Sequence, residues 1–235
     1  MLSARLEVLH VSGEEREFVQ SRVRDFCARL GPYEIDPAGL DIVARSGTVS
    51  DTIYREANNN ASLVVMGSRG HRGLANLFLG SSSKAFLANA PCPVLLVPPT
   101  DVDIVNIADR PLLTCGPVLA AIDLTEACRP QLRLASECAA IAGQPLLLMT
   151  VAPAKLRVDD ATVMLRERAH RAGLRPEALI VRRGRVAEEI SRCALQEGAG
   201  LVVMGLRSRP RSTPGLIAAA VLKTKRAFVL AVPGG

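Results

Sequence analysis

The chain contains no tryptophan, and aromatic residues make up only 3% of its 235 positions. Proteins that hold single-stranded nucleic acid by stacking need exposed aromatic side chains beside a basic groove. The formal net charge here is +6, but the arginines are spread over predicted helices and loops instead of one basic helix. These two absences argue against a nucleic-acid partner.

Long apolar runs are also missing. A transmembrane helix needs about 20 consecutive apolar residues, and no apolar stretch of this chain approaches that length. No apolar leader precedes Arg5. We therefore expect no membrane partner and a cytoplasmic location.

Spacings typical of metal sites and catalytic sites do not occur. The six cysteines show no Cys-x2-Cys pair, which argues against a metal site. Nothing in the sequence pairs a nucleophile with a base and an orienting carboxylate. We expect no catalytic residue, and a protein that is not an enzyme.

A repeat is present instead, in a chain whose 49% apolar and 22% charged residues suit a globular core. The repeat predicts a first copy over residues 1–99, a linker over 100–116 and a second copy over 117–235. Three segments of the first copy recur in the second: Leu6–Val11 as Leu146–Val151, Leu63–Gly67 as Leu201–Gly205, and Val94–Pro98 as Val229–Pro233.

Each copy alternates short apolar strands with amphipathic helices, which predicts an α/β fold with parallel strands. The second copy has five predicted strands, at 117–122, 145–151, 177–182, 200–204 and 227–232, and its first predicted helix spans 125–142. The first copy has four predicted strands and begins at what corresponds to the second strand. Its first strand and first helix are absent.

A glycine motif follows the predicted strand at 61–66. Gly67 and Gly70 are followed after nine residues by Gly80 and Ser81, at the start of a predicted helix. Glycines allow close approach of the backbone to a ligand, and amides at a helix N-terminus attract phosphate oxygens. The pattern matches neither a Walker P-loop nor a Gly-x-Gly-x-x-Gly fingerprint.

These residues resemble the universal stress protein family, whose ATP-binding members carry Gly-x2-Gly-x9-Gly-Ser/Thr after the fourth strand. The similarity extends through Phe86–Pro93 and Val94–Pro98. It implies two tandem HUP-like parallel sheets of strand order 3-2-1-4-5, the first incomplete, with ligand at the carboxyl ends of the strands. It also implies an adenine nucleotide as the ligand, ATP or else AMP or ADP, in a stress-response module.

The resemblance also implies roles for individual residues of the first copy. Met66 would line the pocket, and Val11 would contact the base through its backbone. The phosphates and ribose would be contacted by Gly67, Gly70, Gly80, Ser81 and Ser82.

The second copy departs from the motif, because Ser208 stands in place of Gly70 and the spacer is rebuilt around Pro210 and Pro214. We therefore predict ligand in the first copy only. Asp123 has two interpretations of equal weight: the family's acidic residue near the nucleotide, or a cap of helix 125–142.

The last strands, 93–97 and 227–232, are predicted to pair within the chain as subunits of a family dimer do, and a homodimer is a further option. The alternative function is a ligand-free interaction scaffold that binds no nucleotide.

The missing first strand would be the central one of its sheet. Its loss would leave unpaired backbone groups between strand 4–11 and strand 61–66, at a cost of about 1–3 kcal/mol per group. We expect that the start of the chain is too late or the gene is truncated, and that either another chain supplies a strand or the flanking strands pair directly.

Overall fold

The computed structural model describes residues 5–14, 16–29, 40–67, 79–98, 105–106, 112–113, 116–206 and 214–234. The chain divides into two compact units, Met1–Asn60 and Ala61–Gly235. This boundary lies inside the first sequence copy, between its second predicted helix and the strand that precedes the glycine motif.

The described residues of the first unit form two parallel strands and two helices. Strand β1 (Glu7–Val11) pairs with β2 (Asp41–Arg45), so that Val8 lies opposite Ile42. Helices α1 (Arg16–Arg29) and α2 (Val49–Asn60) follow the strands. Val19, Ile42 and Ala57 are buried between these elements, as their apolar spacing in strand and helix requires.

The second unit is built on a seven-stranded sheet. Its order is β3-β4-β11-β10-β7-β8-β9, and a short antiparallel pair, β5 (Val105–Asn106) with β6 (Leu112–Leu113), forms a sheet of its own. The strands are β3 (Val64–Gly67), β4 (Val94–Val97), β7 (Val118–Ala121), β8 (Leu146–Val151), β9 (Ala178–Arg182), β10 (Leu201–Leu206) and β11 (Phe228–Pro233).

Strands β7 to β11 run parallel and lie in the spatial order β9-β8-β7-β10-β11. Counted within the second copy this is 3-2-1-4-5, so the predicted fold class and strand order are confirmed. The connecting helices are α4 (Arg129–Ala142), α5 (Val158–Arg171), α6 (Val186–Gln196) and α7 (Pro214–Leu222).

Alternation along the strands directs side chains to both faces of this sheet. Val118, Leu148 and Val203 belong to a core that α4 and α5 cover with Leu132 and Leu165. Their neighbours Leu119, Met149 and Val202 are equally buried, on the face where α6 and α7 pack against each other. Both faces are covered, which explains why these strands are continuously apolar.

The first copy contributes strands β3 and β4 to the same sheet, and helix α3 (Ser81–Ala88) lies between them in the chain. Strand β4 runs antiparallel to β11, with Leu95 opposite Leu230 and Leu96 opposite Val229. The last strands of the two copies are therefore neighbours in one continuous sheet.

One detail differs from the sequence-based expectations. Helix α4 begins at Arg129 rather than at 125, with Cys128 as its N-cap and a proline in its first turn. Within the first unit β1 pairs with β2, and within the second unit β3 pairs with β4; direct pairing of the strands that flank the missing one stays a prediction. No helix in the described part of the chain is long and apolar enough to cross a membrane.

Candidate functional site

A cleft of about 1110 Å³ opens at the carboxyl ends of β7, β8 and β10. The chain leaves β7 toward β8 on one side, and β10 lies on the other, so the strand order reverses between β7 and β10. Open α/β sheets bind ligands in the crevice at such a reversal. The cleft is therefore a candidate ligand site in the second copy, where the sequence predicts none.

The loop between β7 and α4 forms one wall. The Asp123 carboxylate accepts hydrogen bonds from the Thr125 backbone N–H at 2.9 Å and from the Thr125 hydroxyl at 2.7 Å. Because α4 begins only at Arg129, the interpretation of Asp123 as a cap of that helix is wrong. Asp123 organises a turn at the rim of the cleft instead.

Arg168 of α5 holds the same loop from outside. Its guanidinium donates to the Glu126 carbonyl at 2.7 Å and to the Leu124 carbonyl at 2.5 Å, and it lies 3.3 Å from the Cys128 sulfur. Charged donors make hydrogen bonds about twice as strong as neutral ones. The wall is thereby tied to a helix that lies outside the cleft.

Gln131, in the first turn of α4, reaches the floor of the cleft. Its Nε2 donates to the carbonyl of Ala121 on β7 at 2.7 Å and to the carbonyl of Val203 on β10 at 3.0 Å. Gln131 is buried, with only 4% of its surface exposed. Gln131 joins the two strands where their order reverses.

The remaining wall comes from the loop between β9 and α6. Gly184 has a φ of +139°, and a Cβ there would lie 3.0 Å from Glu189 Oε1, so a side chain would be strained and crowded. Glu189 is itself buried and pairs with Arg192 at 2.5 Å. Apolar residues complete the lining: Met149, Val151, Ile190, Met204, Leu206 and Ile217.

The structure places the predicted first-copy residues in two separate groups. Val11 ends β1 in the first unit, whereas Met66 and Gly67 end β3 in the second unit. Gly80, Ser81 and Ser82 lie at the start of α3, also in the second unit. Gly70 lies outside the described residues, as does the second-copy loop at 207–213.

Gly80 is the N-cap of α3, and no side chain of the described residues caps this helix by a hydrogen bond. Its φ of −65° is open to any residue, and a Cβ there would meet nothing within 4 Å. Glycine is therefore not needed for folding at this position. A ligand near Gly80 and Ser81 stays a prediction.

The internal repeat indicates the second-copy cleft, which the glycine motif does not. Val151, Met204 and Gly205 are the second-copy counterparts of Val11, Met66 and Gly67, and all three line the cleft. Gln131 belongs to no motif, and nothing in the sequence distinguishes it from a surface glutamine.

The described residues contain no group of three or more histidine, cysteine, aspartate or glutamate side chains arranged to hold a metal ion. Burial raises the pKa of the Cys92, Cys138 and Cys193 thiols. These thiols are therefore protonated and weakly reactive near neutral pH.

Residues 12–98 match the model described as the universal stress protein family. This segment is therefore similar to that family. It contains the glycine motif, Met66, and the last strand of the first copy. A universal stress protein from Thermus aquaticus, described as encoded in the 3′ region of a QAH/OAS sulfhydrylase, is 45% identical over 58 residues. That alignment covers 24% of this chain and 42% of the relative's length.

Solved structures extend the universal stress protein fold over both copies. A universal stress protein from Archaeoglobus fulgidus aligns with 98% of this chain and 86% of its own, at 19% identity and a TM-score of 0.65. A candidate universal stress protein from Pseudomonas aeruginosa aligns with 98% and 83%, at 18% identity and a TM-score of 0.68. At these identities the similarity shows the fold alone.

Proposed function

We propose that the protein is a non-enzymatic universal stress module that binds adenine nucleotide at the carboxyl ends of its parallel strands. The observation that carries the proposal is the cleft at the strand-order reversal. Its volume of about 1110 Å³ is ample for a nucleotide, because ligand pockets typically measure about 300–1,000 Å³.

The lining of the cleft suits a nucleoside. Met149, Val151 and Met204 offer apolar surface for a purine ring, and a carboxylate such as that of Asp123 accepts hydrogen bonds of the kind that ribose hydroxyls donate. The sequence replaces the glycine loop in this copy, with Ser208 in place of Gly70 and with Pro210 and Pro214, which carry no backbone N–H to donate to a phosphate. We therefore assign nucleosides and monophosphates to the second copy.

The first copy is the proposed site for ATP. Gly67 and Gly80 stand at the end of β3 and the start of α3, where the family motif holds phosphates. No side chain in the described part of the chain caps α3, and its N-terminal amides would attract an anionic ligand. Ser81 and Ser82 add hydroxyls in the same turn.

Thermal unfolding of the full chain with ATP and with AMP tests this assignment. A nucleotide at 100 times its Kd should stabilise the fold by about 2.7 kcal/mol, a shift of roughly 2–4 °C in Tm. Gly80→Val should remove the shift with ATP, because the added side chain fills the open space before α3. It should leave the shift with AMP at the second-copy cleft.

Gly205→Ala is the matched control, since it changes the cleft and leaves the glycine motif intact. It should reduce the shift with AMP and preserve the shift with ATP. An undiminished ATP shift in Gly80→Val would place the triphosphate elsewhere, and no shift with either nucleotide would refute the proposed function.

A ligand-free scaffold is the second candidate, and one observation favours it. Strand β3 is the last strand on its side of the described sheet, and Val65 and Leu63 are 57% and 46% exposed. An open apolar edge suits pairing with another polypeptide, including a second copy of this chain. A chain that binds neither ATP nor AMP would favour this candidate.

A further inference from the structure

Gln131 has one polar atom that its described neighbours leave unused. Both hydrogens of its Nε2 are directed at carbonyls, of Ala121 and of Val203. These two bonds fix the orientation of the amide, because the opposite orientation would bring its oxygen against two carbonyl oxygens. The Oε1 atom can then act only as an acceptor, and no described residue donates to it.

The surroundings keep this acceptor accessible from the cleft. A Cβ at position 205 would lie 3.1 Å from Gln131 Oε1, and the residue there is glycine. Gly205 is not among the described glycines that have a positive φ, so the backbone at this position does not require glycine. The absence of a side chain at 205 leaves the amide oxygen uncovered.

A second buried polar side chain lines the same cleft. Thr150 on β8 is 3% exposed, and its hydroxyl makes no hydrogen bond to a described residue. Buried polar groups in folded proteins are nearly always paired with protein, water or ligand. Two such groups in one cleft, Gln131 and Thr150, indicate a polar partner that comes from outside the chain.

We propose that Gln131 determines ligand specificity by accepting, at Oε1, a hydrogen bond from a donor group of the bound ligand. The inference rests on the proposed function, with an adenine nucleotide as the ligand of the second-copy cleft. The donors of AMP that could serve are the 6-amino group and the two ribose hydroxyls. A site built to accept such a bond discriminates against an analogue that lacks the donor.

Calorimetric titration of the full chain tests the role of Gln131. The probes are AMP and three analogues, each lacking one donor: purine riboside 5′-monophosphate, 2′-deoxy-AMP and 3′-deoxy-AMP. The titrations use the Gly80→Val background, so that the glycine motif does not contribute. One analogue should bind about three- to tenfold more weakly than AMP, the range expected for one hydrogen bond.

Gln131→Met should abolish this discrimination. AMP should lose the same three- to tenfold factor, whereas the affinity of the distinguished analogue should stay unchanged. Arg168→Met is the matched control, because it loosens the cleft wall without touching the amide. It should weaken the binding of AMP and of the analogue by the same factor, so that the ratio of their affinities is unchanged.

The outcomes separate the two proposals. The role of Gln131 alone would be overturned if all three analogues bound as tightly as AMP. It would also be overturned if Gln131→Met kept the ratio between the affinities of AMP and of the distinguished analogue. No binding of AMP would overturn the proposed ligand together with it. If Gln131→Met does not fold, Gly205→Ala provides the second test, since its Cβ covers Oε1 and should also reduce the ratio.

Discussion

Gly116 stands two residues before the start of β7 and has a φ of +89°. A Cβ at this position would lie 2.4 Å from the backbone oxygen of Gly198, which belongs to the turn before β10. Backbone atoms cannot move aside as a flexible side chain can. Both the dihedral angle and the close approach therefore require glycine where the second copy begins.

We predict that Gly116→Ala lowers the free energy of unfolding by roughly 3–5 kcal/mol, because strain and a backbone clash add. Gly143→Ala is the matched control. Gly143 also has a positive φ, of +61°, but a Cβ there meets nothing within 4 Å, so only the dihedral cost of about 1–2 kcal/mol remains. Urea unfolding followed by circular dichroism measures both, and equal losses would contradict the close-approach argument.

At the scale of elements, the loop between β7 and α4 shows why one helix boundary was mispredicted. The pattern from 125 onward is helical, but the Asp123 to Thr125 turn competes for the first amides. Pro130 then favours a helix start beside it. The carbonyls that the later start leaves outside the helix are bound by Arg168, from an element far away in sequence.

Arg168→Met should destabilise the protein by about 1.5–3 kcal/mol, the range for hydrogen bonds to a charged group. It should also raise amide hydrogen exchange over residues 124–128 more than elsewhere. Arg171→Met, one turn further along α5, removes an exposed pair with Glu167 and should change stability by less than about 0.5 kcal/mol. Uniform exchange across the sheet in Arg168→Met would show that this arginine does not hold the loop.

The strand order of the second copy could be predicted because turns separate its apolar runs from helices whose apolar residues recur at clear helical spacing. Residues such as Val203 and Leu148 are buried on sheet faces that the pattern already indicates. Gln131 could not be predicted, because its role depends on two carbonyls that meet only when β7 and β10 pair. The glycine motif lies in the first copy, whereas the cleft depends on the reversal of strand order between β7 and β10.

At the scale of the whole molecule, β4 covers the outer edge of β11. Val94, Leu96 and Val229 are fully buried at this junction, and Leu95 and Val97 pack against the core of the second copy. Without β4, the backbone groups of β11 along that edge would be unpaired beside an apolar surface. The first copy thus completes the sheet of the second.

A fragment of residues 116–235 should therefore dimerise by pairing two β11 edges. A fragment of residues 61–235, the second compact unit, retains β3, α3 and β4 and should remain a monomer under the same conditions. Sedimentation equilibrium distinguishes the two masses. A monomeric 116–235 fragment at micromolar concentration would show that β11 does not need a neighbouring strand.

The antiparallel junction of β4 and β11 also sets the stoichiometry of binding. Strand β3 runs parallel to β4, and β4 runs antiparallel to β11 and β10. Gly67 on β3 and Gly205 on β10 therefore lie at opposite ends of the strands. Strands of four to six residues separate these two ends by about 13–20 Å. Two small molecules could then be bound per chain without steric competition, and their titrations should follow two independent mass-action curves.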